Sequence, residues 1–178
     1  MTASWLQLHR RLDPRWYQVV FLGGFLAYGL VALGWRAQLG AYAIVVGTCL
    51  AWQLGLAHWL TGRYDAWKSA LITALGLCLL LKANTGFTYA LAGTMAILGK
   101  HVLRWRGKHI INPANFGIIA AILLTGDAWI SPGQWGHANL GLLLFGLAGL
   151  FILRRIGRLD TTLVFLVSFA ALTLLREV

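Results

Sequence analysis

The chain has 178 residues, 59% of them apolar and 11% charged, with a mean hydropathy of +0.72. A soluble domain carries about 25% charged residues, so this composition excludes an ordinary soluble enzyme and points to an integral membrane protein. Fifteen Lys and Arg stand against five Asp and Glu, but they fall between apolar runs, which is positive-inside anchoring and not nucleic-acid binding.

In chain order, the N-terminal "MTASWLQLHRRLDPRWYQ" has no apolar core followed by a small-residue cleavage site. Residues 1–15 therefore read as a cytoplasmic N-terminal segment and not a cleaved signal. Residues 16–178 read as a single transmembrane domain. Seven helices are predicted in it, over Trp16–Gly34, Gly40–Leu60, Ser69–Leu81, Gly86–Gly99, Pro113–Thr125, Ala138–Leu153 and Asp160–Leu175. The fold class is thus all-α, a polytopic helical bundle. Its connections alternate in charge: the side of the N-terminus collects twelve cations and the other side three. Seven crossings with the N-terminus inside, in a bacterial inner membrane, satisfy that bias at every step. Trp16, Trp35, Trp59, Trp67, Trp129 and Trp135 lie near predicted ends, where interfacial aromatics belong. The three central helices are short, reaching only about 20 Å at 1.5 Å per residue. Such helices are expected inside a bundle or beside a cavity.

The one long polar interlude is "GKHVLRWRGKHIINPANFG", residues 99–117. Asn112 is a favoured N-cap, and Pro113 suits a first helical turn because its missing amide would be unpaired anyway. The free amides of that turn attract anions; Lys100, Arg104, Arg106 and Lys108 add positive charge on the same face, as would His101 and His109 when protonated. Asn115 can both donate to and accept from a heterocycle. Phe116 lies in the same turn, and Gly117 would let a ring or a neighbouring backbone come close. From the residues alone, two readings stay open: a ligand site, or an ordinary helix cap on a basic anchoring loop.

No Asp or Glu lies within a predicted span, which argues against autonomous ion pumping. Cys49 and Cys78 sit within apolar runs and read as small buried side chains. His58 and His109 are conceivable haem ligands, but neither is deep in a span, and hydrogen bonding at the interface is the simpler reading. There is no nucleophile–His–acid set, zinc spacing or nucleotide fingerprint, so no catalytic or metal-ligating residue is predicted.

The segment from Ser69 to Leu142, with Gly99-Lys100, Asn112-Pro113-Ala114 and Gly117, resembles the membrane family that contains the B subunit of sodium-translocating NADH:quinone reductase and the D subunit of Rnf complexes. It is most similar to the short members found in enediyne biosynthetic clusters. The resemblance implies a flavin-associated subunit of an electron-transfer complex, working beside other membrane subunits. Lys100 and His109 would contact phosphate or ring oxygens, and Asn112, Pro113, Asn115, Phe116 and Gly117 would form the turn that reads the heterocycle. Large family members carry FMN on a threonine in a Ser-Gly-Ala-Thr-like motif. Here the region reads "GQWGHANLG", with Ala138 and Asn139 where Ala-Thr would fall, so any FMN or riboflavin is expected to be noncovalent. The alternatives are a small-solute or flavin transporter and a structural accessory subunit. The flavin reading expects the Asn-Pro turn to be a buried polar niche.

Overall fold

A computed structural model describes residues 13–62, 66–106, 108–131, 139–157 and 159–176. The chain divides into two compact units, residues 18–136 and residues 137–178 with 1–17. Seven α-helices are described, each overlapping one of the predicted helices.

Helix α1 (Pro14–Val31) opens with proline in its first turn, and Arg15 N–H donates to Asp13 Oδ1 at 3.0 Å. Helix α2 (Leu39–Thr61) is 23 residues long and ends where Gly62 turns left-handed at φ 66°. Helix α3 (Trp67–Leu80) runs straight into the three-residue strand β1 (Leu81–Ala83). Helix α4 (Gly86–Val102) follows, then a hairpin of β2 (Arg104–Trp105) and β3 (Lys108–His109). Helix α5 (Pro113–Thr125) leads through Gly126 to β4 (Ala128–Ile130). In the other unit α6 (Asn139–Ile156) and α7 (Leu159–Arg176) pack on one another.

Helix α4 is the centre of the larger unit, packing most extensively on α5 and next on α2. Its contacts are made by small residues: Ala92 and Ala96 of α4, Ala70 and Ala74 of α3 and Ala121 of α5 are all fully buried. Small side chains let backbones approach closely, which is how helices associate where burial from water is not the driving force.

The strands are the part of the fold that the sequence did not announce. Helices α3 and α5 have 14 and 13 residues, and each opens its backbone at its C-terminal end. Freed backbone there needs partners. It finds them in the other exit: β1 and β4 pair antiparallel, with Leu81 opposite Ile130 and Ala83 opposite Ala128. Tyr89 Oη accepts from Ala83 N–H at 3.0 Å, and Ser131 N–H donates to Leu80 O at 2.8 Å.

Asp127 locks this junction. Its carboxylate accepts from Asn84 Nδ2 (2.8 Å), from Thr85 N–H (3.1 Å) and Oγ1 (2.9 Å), and from Thr88 Oγ1 (2.7 Å). It therefore sits at the N-terminus of α4, where negative charge complements the helix dipole. The Thr88 hydroxyl first, then Asn84 and Thr85, hold its carboxyl down at about 2, against about 3.9 for a free Asp. A depressed carboxyl adds stability above its unfolded pKa and loses it as pH falls through the folded value. The Asp127 contribution to thermal stability should therefore be full from neutral pH to about 4 and decline from there towards pH 2; the Asp127→Asn protein should lack that part of the acid-induced loss.

Among the described residues one helix, over Leu39–Leu60, is long and apolar enough to cross a membrane by length and composition, with 17% of its apolar window buried within the chain. Residues 67–80, 113–125 and 162–176 form shorter apolar helices. Of the predicted N-terminal segment, residues 1–12 lie outside the described residues.

Candidate functional site

The sequence brings most of its unusual chemistry to the C-terminal end of α4. Gly93 gives α4 room for Thr48 and Cys49 of α2, while Ala96 and Gly99 take Gly117 and Phe116 of α5. Lys100, in the last turn, is drawn inward and only 9% exposed. Its ammonium donates to Gln53 Oε1 of α2 at 2.6 Å and to Ser69 Oγ of α3 at 2.7 Å. Gln53 is itself buried, and its Nε2 lies 3.1 Å from His101 Nε2. One lysine thus ties three helices together, and its charge lies at the negative end of the α4 dipole.

The predicted site residues divide between two environments. Lys100 is buried, whereas His109, Asn112 and Asn115 are exposed, so the Asn-Pro turn is not the enclosed niche that the sequence reading expects. Asn112 is the N-cap: its Oδ1 accepts from Ala114 N–H at 3.0 Å and Asn115 N–H at 3.3 Å, with Pro113 in the first turn. The predicted start of this helix is the observed one. Gly117 does admit a neighbouring backbone. A Cβ there would run into Ala92 O and come within 2.8 Å of Ala96 Cβ. Phe116 lays its ring on Gly99 in the same crossing, since a Cβ on Gly99 would overlap it. Both glycines are filled by the protein's own atoms.

The apolar residues that precede the turn in the chain are uncovered. Trp105 and Ile110 are each 67% exposed, and Ile111 is exposed beside them. The hairpin that carries them turns at Arg106, which takes a left-handed φ of 49°. The "WRGK" sequence is the signal that could have revealed it, a two-residue turn with glycine flanked by strand formers. His58 and His109 are both exposed, on α2 and β3. Cys49 and Cys78 are buried free thiols. Ala138 and His137 lie outside the described residues, while Asn139 begins α6.

Gln53 and Ser69 are the members of this buried polar cluster that the sequence reading missed. A lone glutamine in the middle of a 22-residue apolar span is the trace they leave, since a polar side chain there needs a partner. A shallow apolar groove of ≈ 320 Å³ lies on α2 between Trp52 and Trp59. No family model, curated protein or solved structure matches the chain.

Proposed function

We propose that the chain is a polytopic integral membrane protein, crossing seven times with its N-terminus inside, and that it serves as a subunit of an electron-transfer complex. In this reading it supplies one wall of a noncovalent FMN or riboflavin site, and a partner subunit supplies the other. The alternating charge of the connections supports the crossing count. Large apolar side chains such as Val20, Val31, Leu39 and Leu123 face outward, a surface that lipid would cover.

The observation that carries the two-subunit site is the exposed apolar group beside the Asn-Pro turn. Trp105, Ile110 and Ile111 precede, in the chain, the exposed Asn115 amide able to read a planar heterocycle, on the one long polar stretch of the sequence. Trp and Ile in such a place gain by being covered. The basic residues nearby would favour an anionic phosphate or a reduced flavin.

The test is purification in mild detergent, alone and with its membrane partners retained, followed by flavin absorbance after titration with FMN and riboflavin. Flavin should accompany the assembly and be released on denaturation, and Asn115→Leu should weaken it by roughly tenfold, one lost hydrogen bond to the ligand. A flavin-free assembly at saturating FMN and riboflavin would refute the proposal and leave an accessory subunit. Flavin uptake into vesicles without any redox signal would instead make the chain a transporter.

A further inference from the structure

The amide of Gln53 has one orientation available, because an ammonium can only donate. Its Oε1 faces Lys100 at 2.6 Å, so its NH2 faces His101 Nε2 at 3.1 Å. The imidazole must then accept at Nε2 and carry its proton on Nδ1. Protonation of His101 would set one N–H against another. Relief requires either that the ring leave or that the amide turn over, and an overturned amide would aim its NH2 at Lys100. Either way a bond that holds α2 to α4 is lost.

We propose that His101 is a proton-binding switch: neutral, it completes the Ser69–Lys100–Gln53–His101 latch across α3, α2 and α4, and protonated, it opens it. The groups that face this latch among the described residues include cations and neutral side chains. Lys100 on the same helix and Arg104 in β2 are cations that oppose a second positive charge. From α2 come Gln53 and, one turn away, the buried thiol of Cys49; from α3 comes the Ser69 hydroxyl.

His101 lies beyond the predicted span Gly86–Gly99. Burial first, then Lys100 and Arg104, lower its pKa below the ordinary histidine value. The sign follows: the latch is complete above the unfolded histidine pKa of about 6.5 and is lost as pH falls through the lower folded value. Val102 is followed within two residues by the β2–β3 hairpin, so release of the last turn of α4 also frees the segment leading to the Asn-Pro turn. This inference stands whether or not a flavin binds there.

The experiment is nitrogen-15 NMR of histidine-labelled protein in nanodiscs, with hydrogen exchange of residues 99–105 followed over the same pH range. Near pH 8 His101 should show the Nδ1–H tautomer, and its titration should coincide with faster exchange in that segment. In the Gln53→Glu protein a carboxylate can accept from both neighbours, so the His101 midpoint should rise by about 1–3 pH units and the acid-induced exchange should vanish. An Nε2–H tautomer in the unaltered protein would overturn the proposal by itself, without need of any variant. So would exchange in residues 99–105 that ignores pH, or a His101 midpoint that the glutamate leaves unmoved.

Discussion

The Gly117→Ala protein should be less stable than its parent by about 1–3 kcal/mol, and Gly117→Val by more, because both overpack a closed helix crossing. The added methyl meets Ala92 O and lies within 2.8 Å of Ala96 Cβ. The first is backbone in the middle of α4, so no side chain can swing aside to make room. Helix α5 must move as a body, and this crossing is the most extensive in the larger unit. Gly47→Ala is the control. A Cβ there meets nothing within 4 Å, so the substitution should gain about 0.5–1 kcal/mol from helix propensity alone. Unfolding in detergent, by heat or by denaturant, measures both. Equal behaviour of the two variants would mean that the α4–α5 crossing is looser than described.

Lys100→Ala should cost about 2–5 kcal/mol by the same measurement. The loss has two parts: the space left by a buried four-carbon stem, and the acceptors Gln53 Oε1 and Ser69 Oγ, which lose their donor. Lys100→Met restores most of the volume and none of the hydrogen bonds, so it should retain about 1–3 kcal/mol of the loss. Were Met to match the parent, the lysine would be serving packing alone. The pairing would then be ruled out as the element that ties α2 and α3 to α4. Ser69→Ala separates the partners, since it removes one acceptor and leaves the α2 contact intact.

Helix positions were legible because each signal is local. Asn112-Pro113 fixes the start of α5, and Gly62 and Gly126 end their helices where a left-handed residue is needed. The apolar run from Gly40 to Leu60 can hardly be anything but a helix, because every backbone group must be satisfied within it. Lys100 was singled out too, though as a member of a basic loop. Its recruitment into the bundle was hidden, because Gln53 and Ser69 stand 47 and 31 residues away. The same holds for Asp127, whose four donors come from residues 84–88.

By itself, then, the sequence determined composition class, the approximate positions of the seven described helices, the Asn112-Pro113 start of α5 and the charge of each connection, all of which depend on neighbours a few residues apart. Tertiary structure alone decided which polar groups are buried and with whom. It drew one lysine of a basic stretch into a buried three-helix tie, and exposed an amide turn that looked like an enclosed niche. It also paired two strands that no periodicity marks. The reason is that hydrogen bonds across helices depend on depth and rotation about each axis, and packing against distant small residues sets both.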